Sequence, residues 1–171
     1  MTSNDTVGDR HGSAVITLTS DTDYVIHRMF DAPAELVFKA FTTPELVERW
    51  WAGDGAEWVV CDIDLRPGGR WRWVFRHGSM ELGFHGEYRD VSPPDRLVYT
   101  EMIEMPGVPA PDPAEYPVVT LTLDELNGVT TMTLLVHHSS PEQRDAVLAS
   151  GMESGMQDSY DRLEEIIRRP S

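Results

Sequence analysis

Six histidines and 29 acidic residues give this chain the raw material for metal binding and proton transfer, and spacing decides how much of it is usable. His137 and His138 are adjacent in a strand-like segment, so their side chains point to opposite faces and share no ion. His77 and His85 could meet across a hairpin only if its turn centred near Glu81, and spacing places no third ligand beside them. Neither H-E-x-x-H nor paired C-x-x-C occurs, so neither a metal site nor a cofactor is expected. Asp62, Asp64, Glu87 and Glu101 lie in strand-like runs, where an inward carboxyl would be desolvated and able to transfer a proton. Glu101 and His85 are the acid/base candidates, although no constellation compels an enzyme. The serine of GMESG stands one position late for a nucleophile elbow and follows no strand. Cys61 has no activating cation in sequence and reads as a structural thiol.

Aromatic and soft side chains are the other chemistry on offer. RWRWVFRH, residues 70–77, alternates Trp71, Trp73, Phe75 and His77 against Arg70, Arg72 and Arg76. The aromatic face must turn inward, where it either packs the core or lines a ligand cavity. Trp50 and Trp51 are successive helical residues about 100° apart, so burying both needs a layer on each side. In GMESGMQDSYDRLEEIIRR, residues 151–169, Met152, Met156, Tyr160, Leu163 and Ile167 form one stripe. Gly151 and Gly155 precede its lower turns at a cost of about 1 kcal/mol each relative to alanine. We therefore expect a hollow beside the paired glycines, with methionine as a deformable wall.

One strand-rich run covers Ala14–Phe30, and two short helices follow over 33–42 and 44–51, each opening on proline. Six strand segments come next, over 57–65, 70–77, 82–91, 96–105, 118–126 and 129–138. Arg66-Pro67-Gly68-Gly69, Ser92-Pro93-Pro94-Asp95 and Asn127-Gly128 supply the turns. The segment from Met105 to Pro117 is too rich in proline for regular structure and suits a site entrance. Ser140 caps a short helix with Pro141 at its first position, leading into the terminal helix. Short turns between consecutive strands imply an antiparallel sheet, and the long terminal helix is the element left to cover it. Residues 1–13 read as a disordered polar tail and 14–171 as a single α+β domain.

The formal net charge of −15 repels phosphate backbones and argues against nucleic acid. One cysteine permits no internal disulfide and fits a reducing compartment. The N-terminal residues lack the apolar core of a signal peptide, and no run is long enough for a membrane span. A cytoplasmic location is expected.

FDAPAELVFKAFTTPELVERWW, CDIDLRPGGRWRWVF, GEYRDVSPPDRLVYTE and LASGMESGMQDSYDRLEEII occur in this order. Together they resemble the bacterial homologues of the heat-shock protein 90 ATPase activator, in the START-like or SRPBCC superfamily with the polyketide cyclase-like proteins. The resemblance implies a helix-grip fold: a bent seven-stranded antiparallel sheet gripping a long C-terminal helix, with two short helices after the first strand. It also implies a cavity between sheet and helix for a hydrophobic or aromatic molecule, lined by Trp51, Trp71, Trp73, Phe75, Met102, Met152, Met156 and Tyr160. Where many relatives carry a tryptophan in the terminal helix, this chain has Met156. The eukaryotic activator has a further N-terminal domain to which no segment here corresponds, so the resemblance does not license chaperone activation. The expected function is carrying or sequestering a small apolar or aromatic ligand. The alternatives are a cyclase- or hydrolase-type enzyme using Glu101 or His85, or a chaperone ATPase cofactor. A homodimer and contact with a chaperone stay open.

Overall fold

Alternating β-branched and aromatic segments dominate the chain, and in the computed structural model, which describes residues 13–168, they form one antiparallel sheet. Its strands are β1 (Val15–Leu18), β2 (Asp23–Phe30), β3 (Glu57–Ile63), β4 (Arg70–His77), β5 (Met80–Ser92), β6 (Arg96–Thr100), β7 (Met102–Glu104), β8 (Val118–Leu126) and β9 (Val129–His137). The helices are α1 (Ala34–Thr42), α2 (Pro44–Trp50), α3 (Pro141–Ala149) and α4 (Met152–Arg168). Neighbours run β1-β2-β9-β8-β6-β5-β4-β3, with β7 paired to β5. The α+β helix-grip architecture is therefore as expected, but the strand count rises from seven to nine. The tail assigned to residues 1–13 lies, except for Ser13, outside the described residues.

Two runs are each divided, for local reasons. The first folds back at residues 19–22, where Ser20 Oγ accepts from the amides of Thr22 and Asp23 at 3.2 and 3.1 Å. A side-chain turn of this kind competes with continuation of the strand. The second breaks at Glu101, opposite Pro117 in the register with β8: its amide still donates to Pro117 O at 3.0 Å, but proline has no N–H to return a bond and the ladder ends there. There β5 changes partner, pairing with β6 through residues 88–92 and with β7 through 83–85. Gly86 sits at this handover. A Cβ on it would lie 1.7 Å from the Thr100 carbonyl oxygen, so only glycine permits the approach. Trp71 Nε1 donates to the same oxygen at 3.2 Å.

The last helix is held by packing and by charge. Tyr160, Leu163 and Ile167 are buried, each contributing about 1.5–3 kcal/mol. Arg28 of β2 reaches Asp161 at 3.0 Å and Glu164 at 2.8 Å. Glu164 also accepts from the Asp31 amide at 3.1 Å. Arg162 Nε donates to Trp50 O at 3.1 Å, and Ser159 Oγ donates to Trp51 O at 2.9 Å. These two side chains of α4 satisfy carbonyls at the C-terminal end of α2, which tie down the segment carrying both tryptophans.

The expected role of the glycines is corrected. Gly151 has φ +83° and separates α3 from α4, while Gly155 lies on an exposed turn of α4. Nothing stands within 4 Å of a Cβ added to either, so neither borders a hollow.

Candidate functional site

The inner face of the bent sheet carries the aromatic cluster. On β4 the alternation places Trp71 and Trp73 inward, both buried. Tyr88 comes from β5, and Leu97 and Tyr99 from β6. Glu101 continues the inward phase of Leu97 and Tyr99 past the strand break. Phe41 of α1 and Trp51, just beyond α2, close the opposite side. These eight residues line an interior cavity. Its cover is thus the α1–α2 pair and not the C-terminal helix.

The cavity is small. Its volume of about 10 Å³ holds at most one water. The walls nearly meet: ring centroids of Trp51 and Trp73 are 4.8 Å apart, as are those of Trp71 and Trp73. Trp71 and Tyr99 stand edge-on at 5.8 Å. Any larger occupant must part these rings. Trp51 is half-buried and follows the last turn of α2, so it can move without breaking the sheet ladder.

Two polar groups in this wall lack partners among the described residues. The indole Nε1–H of Trp73 is buried without an acceptor. The Glu101 carboxyl is half-buried, has neither hydrogen-bond nor ion-pair partner among the described residues, and is pushed by burial up to a pKa of about 7. The surrounding hydroxyls of Tyr24, Tyr88, Tyr99 and Tyr160 are raised too, first by burial, and stay neutral. A buried N–H without an acceptor, such as that of Trp73, is rare enough to require a reason.

The other expected site residues fall elsewhere. Phe75 is buried on the same face but packs with Trp58 and Phe84 at 5.3 and 6.3 Å, beyond the cavity wall. Tyr160 packs against Phe30 and Trp50 at 6.1 and 6.2 Å. Met152 and Met156 are half-buried against the core and do not line the cavity. Met102 pairs with His85, which puts both on the outer face of the sheet. Phe41, Tyr88, Leu97 and Tyr99 were not anticipated. The alternation of RLVYTE holds Leu97, Tyr99 and Glu101 on one phase, but apolar residues on both phases of 97–105 hide which phase faces inward.

His85 belongs to a separate polar cluster. Its Nδ1 lies 2.6 Å from Glu104 Oε2 and its Nε2 3.1 Å from the Tyr116 hydroxyl. Arg72 grips the same carboxylate with two bonds, at 3.0 and 2.8 Å. The Arg72 guanidinium, and then His85, hold Glu104 below the usual carboxylate range. Tyr116 anchors the proline-rich segment through this cluster, fixing it on the outer face beside a groove of about 420 Å³. His77 instead bonds Ala52 O at 2.9 Å, so His77 and His85 do not converge. No group of three or more potential metal ligands occurs among the described residues. Cys61 is half-buried, and burial raises its thiol to about 12. No described helix is long and apolar enough to cross a membrane.

Comparison with known proteins fits this architecture. The family described as "Activator of Hsp90 ATPase homolog 1-like protein" matches residues 31–168. A crystal structure of a protein from Rhodobacter sphaeroides is similar at 29% identity, covering 91% of this chain and 99% of that one, with a TM-score of 0.80. A protein from Mycobacterium smegmatis shares the fold at 20% identity, covering 92% and 98%, with a TM-score of 0.79. One from Nitrosomonas europaea does so at 24% identity, covering 88% and 97%, with a TM-score of 0.73. No functionally curated protein matches the chain.

Proposed function

Since the chain belongs to the activator of Hsp90 ATPase homolog 1-like family, we propose that it binds a small aromatic molecule between its sheet and the α1–α2 pair, to carry or sequester it. The observation that supports this reading is a cavity with six aromatic rings among its eight lining residues, a buried indole N–H without an acceptor and a half-buried carboxyl without a protein partner. Apolar walls supply affinity, and a few polar groups orient the ligand. Such a pocket opens only when an occupant separates the rings, with Trp51 as the residue best placed to swing aside. The site residues are then Trp51, Trp71, Trp73, Tyr99 and Glu101, with Phe41, Tyr88 and Leu97 completing the wall.

The test is titration with 1-methylnaphthalene, following the indole N–H resonances. Binding should perturb the signals of Trp51, Trp71 and Trp73 together. Unmoved indoles at saturating probe would overturn the reading. Native mass spectrometry should also find a retained small molecule on protein taken from its host.

Proton transfer at the same site is a second reading, favoured by a carboxyl that titrates near 7 inside the cavity. His85 does not support it, because it faces the other side of the sheet. A retained molecule that stays chemically unchanged after long incubation with the protein would count against turnover.

A further inference from the structure

We propose that the molecule held in this cavity is an aromatic amine: its ring lies among Trp51, Trp71, Trp73 and Tyr99, and its ammonium group pairs with the Glu101 carboxylate. This rests on the binding reading above and narrows it to one chemical class.

The wall is built from groups that share one preference. Three tryptophans and a tyrosine meet edge-on or tilted, with neighbouring centroids 4.8–5.8 Å apart, so an occupant that parts an edge-to-face pair meets the negative face of one of its rings. A cation over such a face is attracted, and tryptophan binds it best. Glu101 adds a formal charge of the same sign. Its carboxyl has no cationic or hydrogen-bonding partner among the described residues, and no basic side chain lines the cavity. A purely hydrocarbon ligand would leave that carboxyl unpaired and still further from water, which is costly. An anionic ligand would be repelled. A ligand that brings its own ammonium group both neutralises Glu101 and satisfies the ring faces.

The ionisable groups around Glu101 do not compete for that role. Tyr24, Tyr88, Tyr99 and Tyr160 come from three strands and from α4, and all remain neutral near pH 7. The acidic surface, with a formal charge of −15, enriches cations around the molecule and favours their approach.

A matched pair of probes separates this inference from the reading beneath it. 1-Naphthylmethylamine is protonated throughout the working range, and 1-methylnaphthalene is its uncharged counterpart. At about pH 8 the amine should bind at least ~10-fold more tightly than the hydrocarbon. That ratio should fall by about tenfold at about pH 6, as Glu101 takes up a proton. In Glu101→Gln the ratio at pH 8 should fall by about tenfold and lose its pH dependence, with a thermal melt confirming that the variant is folded. The pH arm on the native protein needs no variant.

Equal affinity for the two probes at pH 8, or a ratio unmoved by Glu101→Gln, would overturn the inference. So would a ratio that rises toward pH 6, the trend of a protonated Glu101 donating to the ligand. If the hydrocarbon binds without preference for the amine, only the inference fails. If neither probe binds, the binding reading fails with it.

Discussion

Glu101 couples stability to pH as well as carrying the proposed contact. Burial pushes its pKa up to about 7 in the folded state, above the 4.5 of a solvated glutamate, so the folded protein keeps this proton longer than the unfolded chain does. The associated stability is full below about pH 4.5 and is lost as pH rises to about 7. The shift corresponds to about 3 kcal/mol. Glu101→Gln should remove this contribution to the pH dependence and make the protein more stable than the native form at pH 8. Urea unfolding of both proteins at pH 5 and pH 8 measures the difference. Arg28 is the opposite case, a buried charge with its partners present. Its side chain is 1% exposed and that of Glu164 10%, so truncation strands a carboxylate in the interior. Arg28→Ala should cost about 3–5 kcal/mol, whereas replacing both Arg28 and Glu164 with methionine should recover most of it. Chemical denaturation of the three variants checks this.

At the scale of elements, the two helices at the end of the chain meet at Gly151, and α4 carries Gly155 at no structural advantage. An added methyl at Gly155 meets nothing within 4 Å. Gly155→Ala should therefore stabilise the protein by about 0.5–1 kcal/mol, raising Tm by roughly 1–4 °C. Gly86→Ala should do the reverse. Its methyl would collide with the Thr100 carbonyl, where β5 passes from one partner strand to another. A loss of about 2–3 kcal/mol is expected, with the Trp71 indole signal shifted as its bond to Thr100 O is displaced. Comparing the two variants by thermal melting separates a glycine that the fold needs from one that it merely tolerates.

The whole molecule carries far more negative than positive charge, and repulsion among like charges opposes compaction. Raising salt from a few millimolar to about 0.5 M should raise Tm, by roughly 2–4 °C if screening contributes about 1 kcal/mol. The same addition should slow capture of a cationic ligand, because screening also weakens attraction at a distance. Differential scanning calorimetry and stopped-flow binding read the two effects separately. A fall in Tm with salt would show that favourable ion pairs, such as those of Arg28 and Arg72, outweigh the general repulsion.

The order of elements was legible because it depends on local signals. Alternation in RWRWVFRH predicts its buried face, Asn127-Gly128 predicts its hairpin, and Ser140-Pro141 predicts its helix start. Trp71 and Trp73 could be read as inward for the same reason, whereas Trp51, at the end of α2, rested on the family resemblance. Which element covers that face is not encoded by period. The stripe of α4 suggested a wall at Met152, Met156 and Tyr160, yet the cavity is closed by Phe41 and Trp51. Period could not place Met102, because residues 97–105 carry apolar side chains on both phases. Arg28 in a strand reads as an outward charge until two acids from a helix 133 and 136 residues away complete it. Sequence alone determined the faces and turns of this protein, because neighbours along the chain set them. Only tertiary structure decided that Glu101 stands unpartnered among rings, because desolvation and pairing belong to residues brought together from distant segments.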